Sequence, residues 1–430
     1  MKWLQNEYRF FLACPRNMRI LLLTNMIFAF ILPVIEVFVS AYIMRNSNAA
    51  SKVASYQLAI YTGTPLAFFI NGLLLDKLGV KHLYICGIML SGISLVILMS
   101  SNLTTMLGIA ICGLLMGVAT GLFWANRGLL ALITTNDENR NYYYGLEMFC
   151  YTIASVLVPA FTGWFIAGTT KYAWFGNTAN EAYRVTAIAA CVFAAFASYV
   201  IRKGNFSRAP QPKFIFFRFH PAWRRMLVLA VLFGLGQGYL VTAPALLVLM
   251  LVGKEGTLGA ILACGGVVSA LVLYTIGRIT KPRHRVAVLG TGIMIFLAGS
   301  LVNTILFNAR AVLIFMVCLV IAKPALEWAY FPIQMSVIDA VSPIEQRNQY
   351  AYIFNHEFGL YIGRLLGGVS FLFLAIYISD VVALRVALPV IALIQLLSIP
   401  LAKRILASNR ELEAEARQRL RRSEIVTAGL

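Results

Sequence analysis

Seven ionisable side chains, Glu36, Arg127, Lys323, Glu327, His356, Glu357 and Arg364, sit inside long apolar runs of this 430-residue chain. An ion in hydrocarbon is costly, so such residues face a protein interior or a watery path, where they bind solutes, relay protons or pair. Lys52, Glu147 and Asp339 lie nearer the ends of their runs and are weaker candidates. Lys323 and Glu327 are four residues apart, share a helix face and can neutralise one another. Lys before Glu is the less favourable order for such a pair, which leaves Glu327, beside Trp328, as a solute or proton site. Glu36 and Arg127 could form a direct pair, either within a binding site or as a structural ion pair. His356 and Glu357 point in different directions as helix neighbours, and either could take up a proton in transit or be a satisfied interior group. Arg364 could meet an anionic solute or pair with Glu357, two turns earlier. Trp124 and Trp328 are either aromatic walls for a ligand or plain packing. Gln237, among Gly234, Gly236 and Gly238, marks a point where a helix can bend or pack closely.

The elements that hold these groups are long apolar helices. The chain is 60% hydrophobic and 12% charged, with mean hydropathy +0.79, far from a soluble balance. A span needs roughly 20 mostly apolar residues because backbone groups cannot be left unsatisfied in hydrocarbon. About twelve such segments are expected, over 18–43, 52–75, 80–100, 104–135, 144–168, 182–201, 223–252, 257–277, 286–307, 311–340, 350–377 and 382–403. The fold class is therefore an all-α membrane protein. Charges at Glu7, Arg9 and Arg16 interrupt the start, so no cleavable signal peptide is expected.

The net charge of +19 gathers at the start, around Arg202–Arg225, around Arg278–Arg285 and in the tail, all on one side when helices are counted from the start. That is the positive-inside pattern and sets both termini in the cytoplasm. These basic clusters suit anionic lipid headgroups better than nucleic acid. The seven cysteines have neither disulfide-framework nor zinc spacing, and neither a metal nor a cofactor is expected.

The longest polar interruption, with Pro210, Pro212 and Pro221, falls near the midpoint. It divides the chain into an N-terminal half (1–201), a linker (202–222), a C-terminal half (223–403) and a basic cytoplasmic tail (404–430) expected to continue as a solvated or headgroup-associated helix. The halves repeat. Leu122-Phe123-Trp124-Ala125 matches Leu326-Glu327-Trp328-Ala329, and Glu138-Asn139-Arg140-Asn141-Tyr142 matches Glu345-Gln346-Arg347-Asn348 and Tyr350. Two similar six-helix halves related about the membrane normal form a solute site between them at the midplane.

Between the second and third segments, Gly72, Asp76, Lys77, Gly79 and Lys81 make a charged turn. This turn resembles the signature loop of the major facilitator superfamily, and with the spans and midpoint linker the resemblance covers nearly the whole chain. It departs from the pattern at Val80, where a basic residue is expected, and in the second half, where Lys281 stands in place of the acid. The resemblance implies two pseudo-symmetric six-helix halves, helices one, four, seven and ten around a central cavity, and a gating loop in which Asp76 locks one conformation.

The function expected is secondary active transport of a small polar or charged organic solute by alternating access, coupled to protons, in a cell membrane and as a monomer. Efflux of lipophilic compounds is the alternative, disfavoured by the fixed charges and by a fifth segment offering only Val158, Pro159 and Gly163 where that subset carries a glycine-rich pattern with Gly-Pro. A membrane-embedded enzyme or sensor is the minor alternative. No HExxH, Ser-His-Asp or phosphate-loop pattern supports catalysis, and the four histidines are widely separated.

Overall fold

Each apolar segment becomes a helix, because only a helix satisfies its own backbone in lipid. The structure, a computed structural model, describes residues 9, 11–100, 105–135, 137–172, 178–206, 215–253, 255–279, 282–347, 349–409 and 411. Among the described residues there are twelve helices long and apolar enough to cross a membrane. They are α1 (Arg16–Ser47), α2 (Ala50–Leu78), α3 (Val80–Ser100), α4 (Met106–Thr134), α5 (Asp137–Tyr172) and α6 (Ala179–Arg202), then α7 (Pro221–Leu251), α8 (Glu255–Ile279), α9 (Arg285–Leu306), α10 (Ala309–Glu345), α11 (Gln349–Tyr377) and α12 (Asp380–Asn409). Residues 207–214 of the expected linker, and 410 and 412–430 of the expected tail, lie outside the described residues. The last helix runs past the expected boundary at 403, through Asn409.

Within each half the helices approach closely where glycine removes the side chain. Gly113, Gly117 and Gly121 of α4 lie against the backbone of α2 at Tyr56, Ile60 and Thr64. In the second half Gly363 and Gly367 of α11 lie against Val231 and Leu235 of α7, while Gly234 and Gly238 of α7 lie against Leu360 and Arg364 in return. Without a hydrophobic force between helices in lipid, such close packing, together with interhelical hydrogen bonds, holds them. A methyl group at Gly363 would run into the Val231 carbonyl. Gly363→Ala is therefore expected to cost about 1–3 kcal/mol, read as a lower unfolding temperature of the purified protein.

The two halves meet along α2 with α11 and α5 with α8. Gly163 of α5 and Gly259 of α8 face each other there, and Gly368 of α11 receives Leu58 of α2.

Prolines inside the helices free carbonyls that the neighbours use. Pro324 cannot donate to Val320, and the Ser269 hydroxyl of α8 donates to that oxygen instead, at 3.0 Å. Pro33 has a different consequence. It precedes a π-helical turn, Val34–Phe38, closed by the Val39 amide on the Val34 carbonyl, and Glu36 is the centre of that turn. Such turns re-aim side chains within a helix and recur at functional sites.

Gly234, Gly236 and Gly238 do not interrupt α7. They lie in a regular helix, and α7 breaks one turn later, at Val241 and Thr242.

Candidate functional site

The intramembrane charges sort into two groups, one enclosed in the first half and one between the halves. In the first, Arg127 of α4 grips Glu147 of α5 with two hydrogen bonds, Nε to Oε1 at 2.8 Å and Nη2 to Oε2. Asn25 of α1 donates to Glu147 Oε1 at 2.6 Å and to the Tyr143 hydroxyl at 2.7 Å, and accepts from the Tyr84 hydroxyl of α3. Four helices are thus tied through one carboxylate that is 1% exposed. Trp124 lies 5.2 Å from the guanidinium and Tyr151 lies 5.9 Å from it. The pairing of Arg127 with Glu36 suggested by the sequence does not occur. Glu147, treated there as a weak end-of-helix candidate, is the true partner because α5 starts at Asp137 and carries Glu147 well inside the bundle.

The second group joins both halves. Glu36 is exposed at the π turn of α1, and the charges acting on it are Lys323 and Glu327 of α10. Lys323 is exposed and Glu327 half-buried. These side chains mark one face of α10 that continues through the exposed Phe331 and Met335, at helical spacing. A charged face turned toward a carboxylate of the other half points into the space between them, not into lipid. The neutralising Lys323–Glu327 contact expected from their spacing is not formed. Among the described residues, Glu36, Lys323 and Glu327 have neither an ion pair nor a hydrogen bond.

Beside them Arg364 of α11 donates from Nε to Gln237 Oε1 at 2.8 Å and lies 3.7 Å from Glu357. The Arg364–Glu357 pairing expected two turns apart is present. Tyr61 of α2 packs under the guanidinium at 5.4 Å and its hydroxyl donates to the Gln237 carbonyl at 3.5 Å. Both Glu36 and Arg364 act on Tyr61 electrostatically, which places the two subgroups next to each other. Three carboxylates, Glu36, Glu327 and Glu357, and two cations, Lys323 and Arg364, are thus linked through Glu36, Tyr61 and Arg364. With all five ionised these groups carry one net negative charge.

His356 stands behind this space. It is 2% exposed, its Nε2 is 2.5 Å from the Tyr330 hydroxyl, and Tyr330 stacks on Phe233 at 4.0 Å. Its Nδ1 is 3.9 Å from Glu357, so among the described residues it reaches the cluster through that carboxylate. Trp328 is half-buried against the core of the second half, while Trp124 is 36% exposed. In the turn after α2, Gly79 adopts φ 74° and Lys81 Nζ donates to the Gly204 carbonyl at 3.1 Å, holding the turn to the end of α6. Gly72 is half-buried and Lys77 exposed, and the side chain of Asp76 and all of Lys281 lie outside the described residues.

At the face away from the termini the halves are closed. Arg45, near the end of α1, meets Glu255 at the start of α8 at 2.5 Å, the Tyr183 hydroxyl donates to the same carboxylate at 3.4 Å, and the Ala50 amide donates to Asp380 at 3.2 Å. Glu255→Gln leaves a weaker hydrogen bond in place of the ion pair. Because Arg45 is a third exposed, the expected effect is modest: hydrogen exchange at the ends of α1 and α8 about two- to fivefold faster than in the parent.

Sequence reasoning found the charges and missed the neutral groups that position them: Asn25, Tyr61, Tyr84, Tyr143 and Tyr330. Asn25 alone carried a usable signal, an amide in the middle of an apolar run, where it must find a partner.

The family model of the Major Facilitator Superfamily matches residues 21–368. The chain belongs to the major facilitator superfamily. Its curated relatives include the uncharacterized protein YqgE of Bacillus subtilis, 22% identical over 359 residues that make up 83% of this chain and 82% of the relative. A second is an uncharacterized protein from the sodM 3′ region of Geobacillus stearothermophilus, 24% identical over 155 residues, 35% of this chain and 71% of that one. Among solved structures, a bacterial homologue of the human drug peptide transporters PepT1 and PepT2 shares the fold, with a TM-score of 0.68 at 13% identity over 92% of this chain and 99% of the other. As a superfamily member with twelve spans, the protein is a multi-pass secondary transporter of a small molecule.

Proposed function

We propose that this transporter couples a small zwitterionic or cationic organic solute to protons, and that Glu36, Lys323, Glu327, Glu357 and Arg364 form the shared site. The carrying observation is that Glu36 of one half lies within electrostatic reach of Lys323 and Glu327 of the other, and that among the described residues none of the three has an ion pair or a hydrogen bond. A solute ammonium group suits Glu36 and Glu327, and a solute carboxylate suits Lys323. The uncompensated negative charge supplies the coupling: in a low-dielectric space, one carboxylate must hold a proton or a cation before the halves can close around it. Binding that differs between the two conformations then shifts their populations, and a few kcal/mol is enough.

The solved neighbour, a homologue of drug peptide transporters, is in keeping with a zwitterion. A site with five fixed charges does not favour a lipophilic substrate. The basic ends of the helices on the side of the termini support a cytoplasmic placement of both termini, so the closed face is the outer one. Arg127 and Glu147 act as the brace of the first half, outside the solute site.

The test is solute accumulation in proteoliposomes under an imposed pH gradient, across a panel of zwitterionic, cationic, anionic and neutral solutes. Accumulation of a zwitterion or cation that collapses with a protonophore supports the proposal. Accumulation of neutral or anionic solutes alone, or accumulation indifferent to the protonophore, overturns it.

A further inference from the structure

A groove of about 790 Å³ runs along the outside of the second half, between α9 and α12, away from the solute site. Its wall on α9 is one helical face, Ala287, Gly290, Thr291, Met294 and Ala298, apolar but for the Thr291 hydroxyl, and Ile399 closes it from α12. Gly290 lines it beside Ile399, whose side chain lies 3.4 Å from where a Cβ would stand. Ala287, Met294 and Ala298 are exposed, on a surface that a membrane would cover.

The groove has a polar end. Lys403 of α12 lines it on the side of the termini, exposed and with neither hydrogen bond nor ion pair among the described residues. From Ala287 to Ala298 the wall rises about 17 Å at ~1.5 Å per residue. The hydrocarbon of one leaflet is about 15 Å deep. An apolar channel as long as one acyl chain, ending at a free ammonium group at the membrane edge, has the shape and charge of a phospholipid.

We infer that this groove is a binding site for an anionic phospholipid, one acyl chain lying along Gly290 between α9 and α12 and the headgroup phosphate meeting Lys403. Both parts are needed. The apolar channel selects no headgroup, and a lone basic side chain at the membrane edge selects no particular place on the surface. Occupied, the groove would fix the spacing of α9 and α12.

The experiment is native mass spectrometry of the purified protein titrated with phosphatidylglycerol or phosphatidylcholine of matched chains. The parent is expected to retain one phosphatidylglycerol in preference to phosphatidylcholine by about fivefold, the worth of one basic residue near an anionic group. Lys403→Gln should bring that preference close to one without lowering the unfolding temperature. Ala298→Phe, at an exposed position that fills the channel, should lose the retained lipid of both kinds. A Lys403→Gln protein that keeps its preference, an Ala298→Phe protein that still holds the lipid, or a parent that does not distinguish the two lipids overturns the inference.

Discussion

Arg127→Ala is expected to destabilise the protein by about 3–5 kcal/mol, the cost of leaving a buried carboxylate without its cation. Glu147 is 1% exposed, so its charge is stabilised by protein groups and not by bulk water. Asn25 and Tyr143 still contact it, but neutral donors do not replace a bidentate guanidinium. The strain then reaches Tyr84 through Asn25, so α1, α3, α4 and α5 all loosen together. A lower unfolding temperature and a loss of monodisperse protein are the direct readouts. The decisive variant is the double substitution Arg127→Met with Glu147→Leu, which removes both charges and keeps the volume. An apolar pair can replace a buried ion pair at little cost or with a gain. The double variant should therefore recover most of the stability and transport, whereas a role in proton coupling would leave it folded but uncoupled.

Glu36→Gln is expected to abolish accumulation driven by a pH gradient and to weaken solute binding, so that exchange without a gradient survives only at raised solute concentration. A gradient of one pH unit stores about 1.4 kcal/mol per proton, which supports about tenfold accumulation for one proton per solute. The glutamine fits the same π turn and keeps a hydrogen-bonding side chain, but it cannot take up or release a proton. Its loss also balances the cluster, leaving Glu327 and Glu357 against Lys323 and Arg364. The accumulation ratio in proteoliposomes should thus fall from about ten to about one, with counterflow surviving at saturating solute. Glu357→Gln should do less to coupling, because Arg364 already neutralises that carboxylate at 3.7 Å and Gln237 holds the guanidinium in place.

The helices were legible because hydrocarbon imposes one length and one polarity on any span, and the twelve expected segments correspond to the twelve helices. What hydropathy does not mark is the polar continuation of a helix beyond its apolar part. For that reason α5 was expected from 144 but starts at Asp137, and Glu147 was misplaced at an edge. The charges of the candidate site were legible from their cost alone. Their partners were not, since pairing depends on how each helix is rotated about its axis and where a π turn shifts that rotation, as at Glu36. The same spacing of four residues that predicts a Lys323–Glu327 contact also lets both side chains turn away toward open space. Glycines of α7 suggested a bend, yet those at 234 and 238 are spent on contact with α11, and the helix breaks at Val241 where no glycine stands.

The central claim is that the solute binds where Glu36 faces Lys323 and Glu327, and that the Arg127–Glu147 brace lies outside that site. Solute-dependent thermal stabilisation, measured side by side on the parent, Glu36→Gln, Glu327→Gln and the Arg127→Met with Glu147→Leu double variant, tests it most directly. The account predicts that a transported solute stabilises the parent and the double variant alike and has a much reduced effect on the two glutamine variants. Equal stabilisation of both glutamine variants and the parent, or its loss in a folded double variant alone, would contradict it.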